Sequence, residues 1–366
     1  MKLLAIDVGT GTQDILLFDT EREPENCVQL VLPSPTVIVA DRIRAATAAG
    51  KGVLLTGVTM GGGPSAWAAE AHRKAGLPLW ATPDAARTFN DDLEQVAADL
   101  GLEVVSDDEA ASLGRREDVE RVELRDLMLP EIYAALAAGG VRPEFDALAV
   151  AVFDHGNAPR GVSDRAFRFD YLRSRLQAGL GLAGFAFRGD EIPESMTRLR
   201  AVAALAPSRL PLAVMDTAPA AVLGSLDDPR VAEAGAKIVV NVGNFHTLAF
   251  ALLDGQVAGL FEHHTGLVDA AKLERLIRRL AAGQLANEEV FADHGHGAIS
   301  FDRLGTPEPF TVVLGPRRGM LRASSLPRYE AVPHGDMMLA GCFGLVRAFA
   351  ALYPAWRDAI EAALAR

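Results

Sequence analysis

The chain has 366 residues, of which 49% are hydrophobic and 23% charged, and its formal net charge is −12. This length and composition are typical of a globular protein with two domains. The acidic balance disfavours nucleic acid as a partner, because an acidic surface repels phosphate backbones. The two cysteines, Cys27 and Cys342, lie far apart. They form no zinc-knuckle or redox pair, and they predict reduced core thiols in a cytoplasmic protein.

The chain opens with two apolar runs on either side of a polar turn, LLAIDVGTGTQDILLFD. The apolar runs predict strands at residues 3–8 and 14–19, and a third strand follows at 27–32. A plain hairpin turn needs only one or two residues of special geometry. This turn carries Asp7, Gly9, Thr10, Gly11 and Thr12. It therefore has more polar groups than reversing the chain requires.

The region after the third strand alternates between short apolar runs and helical patterns. We predict a helix at 41–49, a strand at GVLLTG (52–57), a helix from Pro64 to about residue 74, and a short strand at PLWAT. Residues 84–135 are charged and predict mainly helix, with a strand at LEVV. The glycine run 61–63 precedes a helix, where it could admit an anion or allow tight packing.

Two further strands are predicted at 146–153 and 210–216; an aspartate directly follows the first and is the last residue of the second. The first leads into Asp154-His155-Gly156-Asn157, and the second leads into a helix of small residues beginning at Thr217. Strands that alternate with helices predict an α/β fold with a largely parallel sheet. Asp154 follows the carboxyl end of a strand, where such sheets bind ligands. It is a candidate catalytic base, or else a residue that only stabilises a turn.

The opening pattern returns at KIVVNVGNFHTLAFALLD, residues 237–254. Asn241-Val242-Gly243 here matches Asp7-Val8-Gly9, and a third strand and a helix follow in both halves. The strand FTVVLG, residues 310–315, is expected to correspond to GVLLTG of the first half. The same order of elements occurring twice predicts two duplicated halves.

These turns have the chemistry of a phosphate site. Glycine lets the backbone approach a ligand closely, and successive N–H groups of a tight turn form an anion-binding concavity. The threonine hydroxyls add donors, and Asp7 can bind a divalent cation or its waters. Two such turns that face one another across a cleft would bind a polyphosphate together with Mg²⁺.

DVGTGTQD and NVGNFHT resemble the two phosphate-binding turns of the actin, sugar-kinase and heat-shock-chaperone ATPase superfamily. MDTAPAAVLG and GDMMLAGCFGLVRA are similar to its two interdomain helices. The resemblance implies two actin-like, ribonuclease H-like α/β domains around a central cleft that binds ATP with Mg²⁺. It implies a first domain of residues 1–216 plus 337–366 and a second of residues 217–336. Residues 84–145 and 155–205 are then insertions.

The resemblance also implies site residues. Asp7 would orient the metal, and Gly9, Thr10, Gly11 and Thr12 would hold the outer phosphates from one side. The residues that would bind the phosphates from the other side are Asn241, Gly243, Asn244 and His246. Gly315 would lie beside the base of the nucleotide. The superfamily normally has an aspartate where this chain has Asn241, and an amide brings no negative charge to a metal.

More narrowly, the opening segment, FEHHTG and GPRRGM resemble a prokaryotic family labelled as pyruvate formate-lyase activating enzymes. A radical-forming activase needs an iron–sulfur cluster held by three closely spaced cysteines. Cys27 and Cys342 cannot supply such a site. The sequence therefore does not predict radical chemistry.

Three functions remain open at this level. The first is phosphoryl transfer to a small molecule, or other ATP-driven work on one, with Asp154 as base. The second is a nucleotide-binding sensor or assembly protein with little turnover. The third is a metal-dependent hydrolase that uses the histidine pairs His263, His264, His294 and His296. Neighbouring residues of a strand point to opposite sides, so His263 and His264 are not expected to share a metal.

The segment 337–356 is the most apolar stretch of the chain, but Arg347 lies near its middle. A charge at mid-bilayer costs roughly 2.5–3.5 kcal/mol on insertion scales. We therefore predict a buried helix here and no association with a membrane.

Overall fold

The computed structural model describes residues 1–306 and 308–366. Its strands are β1 Lys2–Val8, β2 Thr12–Asp19, β3 Val28–Pro33, β4 Gly52–Gly57, β5 Leu79–Ala81, β6 Glu103–Val104, β7 Val119–Leu124, β8 Ala147–Val152, β9 Ala186–Arg188, β10 Leu212–Asp216, β11 Ala236–Val242, β12 His246–Leu253, β13 Gln256–His264, β14 Gly297–Ser300, β15 Phe310–Leu314 and β16 Arg328–Glu330. Its α-helices are α1 Pro35–Ala48, α2 Pro64–Lys74, α3 Pro83–Ala86, α4 Leu93–Leu100, α5 Asp107–Leu113, α6 Leu129–Ala138, α7 Asp164–Gln177, α8 Thr197–Leu205, α9 Thr217–Ser225, α10 Pro229–Glu233, α11 Ala270–Ala281, α12 Asn287–Ala292, α13 Ala340–Leu352 and α14 Pro354–Leu364.

Two six-stranded sheets repeat one topology. The first has the order β3-β2-β1-β8-β10-β9, and the second has the order β14-β13-β12-β11-β15-β16. In each, three antiparallel strands joined in sequence are followed by two parallel ones, β8 and β10 or β15 and β16. This is the duplicated ribonuclease H-like arrangement, and the predicted α/β fold is confirmed. The predicted domain bounds stay a prediction, although each sheet lies within one of the two ranges.

The predicted match between GVLLTG and FTVVLG is wrong. The partner of β15 in the repeat is β8, because β8 lies parallel to β1 as β15 lies parallel to β11. GVLLTG is β4, which belongs to a separate parallel sheet of order β6-β5-β4-β7. A whole subdomain, with its own core of buried residues from β4, α1 and α2, is inserted between the third and fourth strands of the first sheet.

Helices α9 and α13 pack closely against one another between the two sheets. A Cβ atom at Gly224 would overlap the carbonyl oxygen of Ala340, and one at Gly344 would overlap that of Ala220. The two backbones therefore touch where the helices cross, and only glycine allows this approach. The same helix α13 also approaches Asp7 closely, because a Cβ atom at Gly341 would overlap the Asp7 carboxylate.

The apolar segment 337–356 forms α13, whose residues from Ala340 to Val346 are all buried. Arg347 pairs with Asp227 at 2.7 Å and with Glu361 on α14. The predicted buried helix is confirmed. Among the helices that residues 1–306 and 308–366 form, none combines the length and apolarity needed to cross a lipid bilayer.

Candidate active site

The two glycine turns have the same backbone hydrogen bond. The N–H of Gly9 donates to the carbonyl of Thr12 at 2.9 Å, and the N–H of Gly243 donates to that of His246 at 2.9 Å. The turns also touch each other, since a Cβ atom at Gly11 would overlap the side-chain amide of Asn244. The structure thus brings together the two hairpins that the sequence repeat pointed to.

Both turns line one cavity of ≈ 390 Å³ between the sheets. That volume lies within the range of small-molecule sites. The predicted residues on its wall are Asp7, Gly9, Thr10, Thr12, Asp154, Asn241, Gly243, Asn244 and His246. Gly11 is not on the wall but contacts Asn244. Gly315 is not on it either, and its neighbour Pro316 takes that position.

Gly315 fixes the loop after β15. Its φ of +90° lies in the region that favours glycine. A Cβ atom there would overlap the side-chain oxygen of Asn241 and the carbonyl of Val242. Gly315 therefore acts on the site through the shape of the loop, which positions Asn241 and Pro316.

Asp7 and Asp14 are paired residues on β1 and β2, and both side chains are buried. The hydroxyl of Thr217, at the start of α9, donates to Asp7 at 2.5 Å. Burial raises the pKa of Asp7 to about 6. Burial and the neighbouring Asp7 raise the pKa of Asp14 to about 8. Two close carboxylates with few donors suit a hydrated Mg²⁺, which prefers oxygen ligands.

Asp14→Asn is expected to change how stability depends on pH. The folded pKa of Asp14 lies above its unfolded value, so its ionisation makes folding less favourable as pH rises from about 4 to about 8. Asparagine does not titrate. The variant should therefore gain stability relative to the natural chain across this range, with a constant difference above about pH 8. Urea unfolding at pH 5, 7 and 9, in buffer that contains a chelator, measures the difference in stability between the two proteins. A difference that does not change with pH would contradict the prediction.

Asp154 lies in the loop after β8 and is 4% exposed. Its carboxylate accepts hydrogen bonds from the N–H of Gly156 at 2.8 Å and of Leu199 at 2.9 Å. Burial raises its pKa to about 6, although these bonds oppose the shift. Each carboxylate oxygen has a further lone pair. Asp154 therefore has free acceptor capacity at the cavity wall and a pKa suited to proton transfer near neutral pH.

Arg168, on α7, links the two sheets and stacks on Phe153, a residue of the cavity wall. It is 1% exposed and donates to Asp216 at 2.5 Å, to Glu262 at 2.9 Å and to the carbonyl of Asp154 at 2.9 Å. Burial opposes ionisation of Glu262, but the positive charge of Arg168 outweighs it and holds the pKa of Glu262 well below its usual range. Sequence patterns gave no sign of this triad.

The histidines are not grouped as their spacing in the sequence suggested. His263 points to Asp293, with 3.3 Å between Nε2 and the carboxylate, whereas the ring of His264 lies 4.8 Å from that of His296. His294 is exposed. The four do not form one metal site, because the paired residues point apart. Instead, His155, His246 and His296 lie together, and His155 and His246 line the cavity with Asp154. Burial lowers the pKa of His155 and His246 well below the ordinary value.

Both insertions contribute to the cavity. Residues 59–63 and 87–91, from the inserted subdomain, cover one side, with Asp164, Thr197 and Arg198 from the second insertion. Gly61 is also held by packing, since a Cβ atom there would press on the guanidinium of Arg198. The sequence predicted residues 87–91, Asp164, Thr197 and Arg198 only as parts of insertions, and it did not predict residues 59–63 as part of one, because their approach to the cleft depends on tertiary packing.

The duplicated sheets and the cleft between them define an actin-like ATPase fold. Within that class, the chain belongs to the family described as "Putative pyruvate format-lyase activating enzyme (DUF1786)", whose profile matches residues 60–320.

Among solved structures, the chain is similar to the inorganic polyphosphate/ATP-glucomannokinase of Arthrobacter sp. strain KM. The identity is 13%, with 96% of this chain and 99% of that chain covered, and the TM-score is 0.35. For the ROK hexokinase of Thermus thermophilus the identity is 12%, the coverage is 98% and 100%, and the TM-score is 0.32. For a ROK family glucokinase of Streptomyces griseus the identity is 10%, the coverage is 94% of this chain and 98% of that chain, and the TM-score is 0.33. The search of curated proteins found no match.

Proposed function

We propose that the protein binds ATP or a related nucleotide with Mg²⁺ between its two glycine turns, and transfers the terminal phosphoryl group to a small molecule. The observation that carries this proposal is the contact of the two equivalent turns, Gly11 against Asn244, on a cavity that also exposes Asp7 and Asp154. Phosphoryl transfer requires little beyond positioning, charge stabilisation and a base for the acceptor, and this cleft contains groups for each.

The phosphates would lie against backbone N–H groups of both turns and the hydroxyls of Thr10 and Thr12. Asp7, supported by Thr217 and next to Asp14, would hold Mg²⁺ and its waters. The metal, when bound, neutralises charge on the phosphates. These roles need no residue beyond those on the wall of the cavity and their direct neighbours.

The acceptor would bind on the side lined by residues 59–63 and 87–91. Asp154 faces that side through the same cavity and would remove the proton of an acceptor hydroxyl. Polar side chains from the insertions, among them Arg87, Thr88 and Asn90, would determine which small molecule fits. The insertions therefore account for substrate choice, and the repeated turns account for the nucleotide.

Replacing Gly11 with valine is expected to lower the affinity for Mg-ATP about tenfold, the effect of losing one charge-assisted hydrogen bond. The new side chain displaces the Asn244 amide, which adjoins Gly11. Isothermal titration with Mg-ATP measures the loss, and thermal shift gives a second readout. The matched control is Gly266→Val, because no atom lies within 4 Å of a Cβ there. The proposed nucleotide site is overturned if all three proteins bind Mg-ATP with equal affinity, or if the natural chain does not bind it.

A second candidate is a nucleotide-binding sensor with little turnover. It is favoured by Asn241, which lies on the cavity wall where the superfamily to which the fold belongs carries an acid. Asn241→Asp adds a carboxylate that can bind a metal or orient a water. If the natural chain is a sensor, ADP formation should appear only in this variant. If it transfers phosphoryl groups, ADP should form with Asn241 in place.

The description of the family names a radical-enzyme activase, and the residues present do not fit the cluster that such an activity requires. Cys27 is buried against the backbone of Asp19, and Cys342 is buried against that of Asp14. Three closely spaced thiolates would be needed, and these two cysteines lie far apart in the sequence. We therefore derive no step through an iron–sulfur cluster.

A further inference from the structure

Three imidazoles from three separate segments converge, and two of them, those of His155 and His246, line the cavity. His155 follows β8, His246 is the first residue of β12, and His296 immediately precedes β14. One nitrogen from each lies within 4.8 Å of the others, and the part of the chain that the structure describes has no other such group of three. The first sheet thus supplies one histidine and the second sheet supplies two.

The spacing suits a small transition-metal ion. The Nε2 atoms of His155 and His296 are 3.4 Å apart. A tetrahedral ion with bonds of about 2.0–2.1 Å holds its nitrogen ligands about 3.3–3.4 Å apart. The nitrogens lie within 4.8 Å of one another, so the third would have to move by up to about 1.4 Å, which rotation of one imidazole ring can supply. Two of the ligand positions are therefore already at the required separation.

The surrounding residues orient the three rings. Nδ1 of His296 pairs with the carboxylate of Glu262, which Arg168 fixes, so that the Nε2 atom of His296 points to the cluster. This carboxylate–histidine pairing is the usual support of a metal-bound imidazole. Phe153 stacks on His246 with ring centroids 4.3 Å apart. Nε2 of His246 is buried without a hydrogen-bond partner among the described residues.

We propose that His155, His246 and His296 bind one transition-metal ion of the zinc type, with a remaining coordination position open to the cleft. Imidazole ligands select Zn²⁺, Co²⁺, Ni²⁺, Cu²⁺ or Fe²⁺ over Mg²⁺, which prefers oxygen. Three protein ligands with an open position are typical of a catalytic metal rather than a structural one. The open position would take water or an oxygen of the molecule in the cavity. This site is separate from the Mg²⁺ site proposed at Asp7 and does not depend on nucleotide binding.

The test uses the full-length chain, expressed without a histidine tag, treated with a chelator and then dialysed. Titration with Co²⁺ should give the visible absorption of a tetrahedral site, saturating at about one ion per chain, and Zn²⁺ should displace it. His155→Gln and His246→Gln should each abolish this absorption. Glu262→Gln, which removes only the support of His296, should lower the affinity about 10–100-fold.

The matched controls are His264→Gln and His294→Gln, since neither residue belongs to the cluster. Both should keep the full Co²⁺ spectrum. The proposal is overturned if the natural chain binds neither Co²⁺ nor Zn²⁺, or if the control variants lose the spectrum together with the cluster variants. The spectrum of the natural chain decides the matter even where one variant fails to fold.

Discussion

Replacing Arg168 with methionine is expected to lower the free energy of unfolding by about 3–5 kcal/mol, the typical cost of removing one partner from a buried ion pair. Arg168 is 1% exposed, and it is the cation between Asp216 at 2.5 Å and Glu262 at 2.9 Å. Without it, two carboxylates would remain buried with no compensating charge. Methionine preserves much of the volume, so the loss reports charge rather than packing.

The loss should also depend on pH. The pKa of Glu262 in the folded protein lies well below its usual range, so the ion pair stabilises the natural fold above the unfolded pKa of a glutamate, near 4.5. That stability is lost as pH falls through the depressed folded pKa. In the methionine variant the carboxylates would protonate instead. The difference in stability between the two proteins should therefore shrink as pH is lowered from 7 to 4.

Urea unfolding at pH 7 and pH 4 provides the measurement. Arg173→Met on the same helix is the matched control, because Arg173 is only half-buried, and it should change stability by less than about 0.5 kcal/mol. Similar losses in both variants would show that the triad contributes no more than an ordinary arginine on this helix.

The triad also joins the two halves of the molecule. Asp216 ends β10 of the first sheet, and Glu262 lies in β13 of the second. Closure of two domains on a ligand excludes water and aligns the reacting groups. Here one buried guanidinium couples the sheets and, through the carbonyl of Asp154, couples them to the candidate base.

The local parts of this architecture could be predicted from the sequence. Both hairpins show apolar strands around a glycine turn. Because this pattern occurs twice, it indicates two duplicated halves. The buried helix α13 was also predictable, because Arg347 and the small residues excluded a membrane span. In each case the signal lies within about twenty consecutive residues.

Other parts depended on contacts that no short segment encodes. β7 was missed, and residues 84–135 were predicted as mainly helical, because half of VERVEL is charged and its buried residues Val119, Val122 and Leu124 do not alternate strictly with polar ones. The predicted match of GVLLTG with FTVVLG was wrong because a short apolar strand is compatible with any buried parallel sheet, so its sequence does not show which sheet it joins. The histidine cluster draws on residues some 140 positions apart, His155 and His296. Spacing along the chain therefore grouped His263 with His264 and His294 with His296, which are not the histidines that lie together in the fold.

Asp154→Asn is expected to reduce phosphoryl transfer by about 10²–10⁴-fold, the usual contribution of a general base. Affinity for Mg-ATP should stay within a few-fold of that of the natural chain, since the glycine turns are untouched. ADP formation from Mg-ATP, with a panel of hexoses and polyols as acceptors, measures the rate. The base acts ionised, and burial raises its pKa to about 6. The rate of the natural chain should therefore fall as pH drops below about 6, and this dependence should vanish in the variant.

A second carboxylate of the same cavity separates this role from a merely structural one. Asp154 accepts two backbone hydrogen bonds, so its amide variant also places a donor against an N–H group and costs some stability. Asp164 lines the cavity as well, and Asp164→Asn should reduce the rate by no more than about tenfold, leaving the pH dependence intact. If Asp164→Asn removes the low-pH fall while Asp154→Asn keeps it, the base is Asp164. Proton removal would then come from the start of α7 instead of the loop after β8.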